Sequence, residues 1–159
     1  MDEQLPRPAA ADSPGTPLAA MPEALRTQLE ESVRGTLVER LGMRLVSLGA
    51  DGGVMTMPVE GNTQPAGLLH GGATIALAES IASFAAILRA REVHGEGAQA
   101  VGTSVSALHH RSGRSGEVRA VCTVRHSGRQ MASYLVDVHD AAGALLSTIT
   151  VQTMLLPPR

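Results

Sequence analysis

The 159 residues suffice for one domain with a sizeable core, and two domains are not expected. Hydrophobic residues make up 43% of the chain, yet there is one Phe, one Tyr and no Trp, so the core must be built from Ala, Val, Leu, Ile and Met. All 13 basic residues are Arg, which excludes Schiff-base, pyridoxal-phosphate and P-loop lysine chemistry, and a net charge of -2 with so few aromatics argues against nucleic acid as a partner.

Residues 1 to 22 are rich in Pro and Ala, a composition that buries too little surface to offset its ordering entropy, so a flexible tail is expected ahead of one domain over 23 to 159. The tail starts with acids and carries five prolines, unlike a signal peptide. PEALRTQLEE, from Pro22 to Glu31, reads as a short amphipathic helix opened by proline. Gly42 to Leu48 and Val54 to Val59, joined through Asp51-Gly52-Gly53, form a hairpin whose second strand ends near Pro58. After a loop, Gly71 to Glu92 is apolar around nearly its whole circumference, as a buried helix is. Its acid and serines argue against a membrane span.

Four strands follow, Gln99 to Leu108, Glu117 to Arg125, Ala132 to Asp137 and Leu145 to Leu156, separated by turns rich in Gly and Ser. The order predicts an α+β domain, one antiparallel sheet of about six strands curled around a central helix. Cys122 is the only cysteine, which excludes an intrachain disulfide and a thiolate metal cage and fits a cytoplasmic location. His109 and His110 are adjacent in a strand and point to opposite faces, so no metal site is expected from them.

Glu79 is the most informative residue. It sits in ATIALAESIASFAAIL, where an unpaired buried carboxylate costs several kcal/mol. It therefore pairs with an Arg, is held protonated, reaches solvent or faces a pocket. The helix opens at LLHGGAT, where Gly71 and Gly72 either permit close packing or bare the first-turn N–H groups toward an oxyanion. His70 stands at the same place, and Gln64 in the preceding loop could orient water or a carbonyl. Eight residues separate Gly71 from Glu79, about 12 Å of helix, too far for both to act on one carbon. Two antiparallel helices in a symmetric dimer would solve this, each chain lending its Glu79 to the other's Gly71. Ser83 lies one turn beyond Glu79 on the same face.

With these residues in view, NTQPAGLLHGGATIALAESIAS and the later VGTSVSALHHRSGRSGEVRAVCTVRHSGRQ resemble the hotdog-fold acyl-CoA thioesterases of the phenylacetate-degradation (PaaI-like) group, particularly the branch of dihydroxynaphthoyl-CoA hydrolases and enterobactin-pathway proofreading thioesterases. The resemblance covers roughly residues 37 to 156. It implies the hotdog fold, dimers joined through the sheet and a homotetramer built as a dimer of dimers. It also implies hydrolysis of an aryl or arylacetyl-CoA thioester, with coenzyme A as part of the substrate and no separate cofactor. The family's catalytic carboxylate falls on Glu79, its oxyanion N–H on Gly71, and its supporting groups on Gln64, His70 and Ser83. Its coenzyme A region falls on His109 and Arg111, and Arg114, Arg125 and Arg129, clustered in the two turns, would suit the phosphates. Phe84 is almost the only ring available to an aryl group. Ser112 departs from a proline common among relatives. A non-catalytic acyl-CoA-binding module, or an enoyl-thioester hydratase, are the alternatives.

Overall fold

The computed structural model describes residues 13 to 159. The helical elements are α1 (Glu23–Val33), α2 (Leu37–Arg40) and α3 (Gly71–His94). The strands are β1 (Thr16–Pro17), β2 (Arg44–Gly49), β3 (Gly52–Pro58), β4 (Gln99–His109), β5 (Glu117–Ser127), β6 (Met131–His139) and β7 (Leu145–Leu156). They build one antiparallel sheet in the order β1-β2-β3-β5-β6-β7-β4. Six strands were expected; the seventh is the two-residue β1, which pairs Thr16 with Leu48 at the edge of β2.

Along β5, β6 and β7 burial alternates with the period of a strand, and the inward residues Val118, Ala120, Cys122, Tyr134, Val136, Val138, Ile149 and Val151 are wholly buried. They close on α3, which offers them Leu77, Ala78, Ile81, Ala82, Ala85, Ala86 and Ala90. This alanine-rich stripe lets the sheet wrap closely, which is how a chain nearly free of aromatics fills its core. The one tyrosine is completed by a hydrogen bond from its hydroxyl to the Ala50 carbonyl, 3.1 Å away, and burial holds its phenol above the ordinary range. By length and composition α3 could also cross a membrane; here it packs as the core helix.

The expected tail divides at the limit of description. Residues 1 to 12 lie outside the described residues, while the part after them is tied into the domain. The Arg119 guanidinium donates to Ser13 Oγ (2.7 Å), the Ser47 hydroxyl donates to the Pro14 carbonyl (2.6 Å), and Met21 is buried. The composition missed this because the anchors are hydrogen bonds and one side chain rather than a run of apolar residues.

Candidate active site

The helix start is built from the loop upward. Asn62, buried, donates through Nδ2 to the carbonyls of Leu41 and Pro58, both at 2.8 Å, and its own carbonyl accepts from the His70 N–H at 2.9 Å. A second tie, Leu69 N–H to the Gly113 carbonyl at 2.8 Å, pins this loop to the β4–β5 connection. The sequence reading passed over Asn62; its signal was an amide directly before the TQPAGLLHGG stretch.

His70 caps α3, with its Nδ1 accepting from the Gly72 N–H at 2.8 Å. A ring nitrogen that accepts carries no proton, so the neutral ring keeps its hydrogen on Nε2 and His70 is a donor there. Among the described residues no acceptor takes the Gly71 N–H. Gln64 spends its side-chain carbonyl on the Ala66 N–H (2.6 Å), which leaves its NH₂ free to donate. Gln64, Gly71 and Thr74 border a cavity of about 220 Å³ together with His109, Arg111 and Ser147. Gln64 and Gly71 therefore border one cavity at the positive end of the helix dipole, where negative charge on a carbonyl oxygen is stabilised, while His70 caps the helix without lining that cavity.

Glu79 does not line that cavity. It lies two turns along α3, partly exposed, with no ion pair or hydrogen bond among the described residues. Its Oε1 sits over Gly102 of β4, 2.8 Å from where a Cβ on that residue would stand. Ser83 follows at the next turn of the same stripe and Ile87 at the one after. Gly102 is a second residue the sequence reading missed.

Phe84 borders two apolar cavities. One, of about 590 Å³, lies between α1 and the second half of α3 and is walled by Leu25, Leu29, Leu48, Ile87 and Leu88; the other, of about 350 Å³, is walled by Val33, Val38 and Met55.

The two turns that carry the arginines stand at opposite ends of β5. Arg111 and Arg114 lie in the connection beside the helix start, whereas Arg129 lines a cleft with His94 at the other end of α3, its carbonyl 2.7 Å from His94 Nε2. Arg125 stands near the same end of β5. A helix of 24 residues is roughly 36 Å long, and β5 spans the same distance between its two turns. Among the described residues no group of three or more His, Cys, Asp or Glu could hold a metal. Burial pushes the Cys122 thiol up to about 12, so it is inert packing and not a nucleophile.

A sheet wrapped around a central helix, with donors gathered at the helix start and a carboxylate two turns on, defines a hotdog-fold thioester hydrolase. The chain belongs to the thioesterase superfamily, whose family model matches residues 66–147. It is 44% identical over 123 residues to the proofreading thioesterase EntH of Cronobacter turicensis, covering 77% of this chain and 87% of that one. The solved thioesterase HI1161 of Haemophilus influenzae superposes with a TM-score of 0.75 at 32% identity, over 82% of this chain and 90% of the other. The PaaI protein from the phenylacetic acid degradation operon of E. coli shares the fold, with a TM-score of 0.70 at 20% identity over 85% and 94% of the two chains.

Proposed function

We propose that this thioester hydrolase acts on aryl or arylacetyl thioesters of coenzyme A, in a site shared between two chains. The observation that carries the reading is the pairing of an uncommitted Gly71 N–H at the start of α3 with an uncommitted Glu79 carboxylate too far along the same helix to reach it. Antiparallel helices in a symmetric dimer bring Gly71 of one chain to the partner's Glu79 and produce two identical sites. The outer edge of β4, eleven residues long with Val101 and Leu108 exposed and with no strand beyond it among the described residues, is the edge through which the sheets would join.

In this site the Gly71 N–H receives the thioester oxygen as it gains charge, with His70, which caps the same helix start through the Gly72 N–H, assisting its placement. The Gln64 amide donates to the carbonyl or the water, and the partner's Glu79 attacks the carbon or removes a proton from water, with Ser83 orienting it. The acyl group then extends along the partner's helix, past Ser83 and Ile87, into the apolar cavity at Phe84, whose ring supplies an aromatic partner. Arg111 and Arg114, next to the helix start, are placed for the phosphates of the coenzyme, and Arg125 and Arg129 serve them only from a different chain.

The test is thiol release from a panel of dihydroxynaphthoyl-, hydroxybenzoyl-, phenylacetyl- and fatty acyl-CoA. Aryl thioesters are expected to turn over fastest, and Glu79→Gln is expected to lose about a hundredfold or more in kcat while remaining folded. A Glu79→Gln variant with near wild-type turnover on the best substrate would end the catalytic assignment; a preference for long fatty chains would end the aryl one.

A further inference from the structure

His109 and Ser147 are directly paired across β4 and β7. The His109 Nδ1 and Ser147 Oγ are 2.8 Å apart, and Ser147 is 2% exposed. Among the described residues the Ser147 side chain has no other hydrogen-bond partner. A buried hydroxyl that fails to donate forfeits a hydrogen bond at a cost comparable to any orphaned polar group. Its proton therefore goes to Nδ1, the acceptor within hydrogen-bond distance of it among the described residues. Nδ1 is then unprotonated, and the neutral imidazole of His109 carries its hydrogen on Nε2.

The position of Nε2 gives this tautomer a use. It lies 2.9 Å from where a Cβ on Gly71 would stand, so the ring packs over the first residue of α3, and both residues line the 220 Å³ cavity. A glycine at position 71 admits the ring, and the ring brings a second N–H beside the one on the Gly71 backbone. We infer that His109 is a catalytic donor to the thioester oxygen, its tautomer and orientation set by Ser147 as a positioning residue. No bond forms or breaks at His109: its Nε2–H donates to the carbonyl oxygen, more strongly as that oxygen becomes an oxyanion, and keeps its proton throughout. This rests on the thioesterase reading above and changes the expectation for His109, which the family resemblance associates with the coenzyme.

The experiment compares His109→Ala, His109→Gln, Ser147→Ala and Glu79→Gln by steady-state kinetics on the best acyl-CoA, together with ¹⁵N NMR of the histidine rings in the wild type and Ser147→Ala. His109→Ala should lower kcat by about a hundredfold with KM changed by less than about threefold, because the donor acts mainly on the transition state. His109→Gln, whose amide nitrogen can reach the place of Nε2, should recover about tenfold of that loss. Ser147→Ala should lower kcat by about tenfold, leave KM unmoved, and shift the His109 ring from the Nε2–H form to a mixture of tautomers. An Nδ1–H ring in the wild type would overturn the inference, as would a His109→Ala variant that raises KM with kcat intact, which would return His109 to coenzyme binding. If Glu79→Gln is inactive while His109→Ala is not, only this inference fails; if Glu79→Gln is active, the catalytic reading beneath it fails as well.

Discussion

The carboxylate of Glu79 rests on the backbone of Gly102, with Oε1 2.8 Å from the position a β-carbon there would take. The two residues come from different elements, α3 and β4, and the strand shifts register between Gly102 and Ser104, next to the contact. A missing side chain on the strand is thus what gives the acid its place at the helix face.

Gly102→Ala tests that relationship. The added methyl meets the end of a flexible side chain rather than backbone, so the fold should persist with a thermal midpoint within a few degrees of wild type, about 1 kcal/mol or less. The carboxylate must move, and kcat should fall by about tenfold or more, since about 1 Å of misplacement is costly in a positioned site. Thermal denaturation and steady-state kinetics on the same preparation separate the two effects; a variant with unchanged kcat would show that the contact does not place the acid.

Complementation reads the shared site directly. Glu79→Gln and Gly71→Ala should each be nearly inactive alone, the second because its methyl collides with the His109 ring. A purified heterodimer of the two should regain about half the wild-type turnover, because one of its two sites combines an intact Gly71 with an intact Glu79. If every site lay within a single chain, no activity would return.

Phe84 stands between cavities of about 590 and 350 Å³. Phe84→Ala should join them, widen the range of acyl groups hydrolysed toward longer ones and weaken selection for aryl thioesters, at a stability cost of up to about 3 kcal/mol. The ratios of kcat/KM across the acyl panel, compared with wild type, check this; unaltered ratios would place the acyl group elsewhere.

Cys122 gives stability an alkaline limit. Its thiol is raised by burial from an ordinary 9.0 to about 12, with the backbone at Gly53 partly opposing the rise. The contribution is therefore full below pH 9 and is lost as the pH climbs toward about 12, because the unfolded chain releases the proton first. Across that window the slope should approach about 1.4 kcal/mol per pH unit from this group. Chemical denaturation of Cys122→Ala at several pH values should give a shallower alkaline decline than wild type, despite some loss of packing at neutral pH.

Much of the site was legible in the chain because its signals are local. The HGG start, the acid two turns on and the polar residues around them sit within about twenty residues, where helix geometry alone fixes spacing and face. The alternating patterns located each long strand to within a few residues. The two-residue β1 carries no pattern to read, and the 13 to 22 segment has the composition of a tail because its anchors are a two-residue strand pairing, single hydrogen bonds with Ser47 and Arg119, and the one buried side chain of Met21.

The sequence by itself determined a core of small and aliphatic side chains around one apolar helix, the absence of lysine chemistry, and an acid on that helix in need of a partner. Only the tertiary structure decided which residues meet across elements: Gly102 under Glu79, His109 over Gly71 with Ser147 behind it, and arginines separated to opposite ends of α3. The reason is that these contacts depend on strand order and pairing register. Local periodicity assigns a residue to a face, but it does not say that β4 pairs with β7 or that His109 stands opposite Ser147, 38 residues away. A shift of one residue in that register would send His109 to the outer face and take its ring from over Gly71.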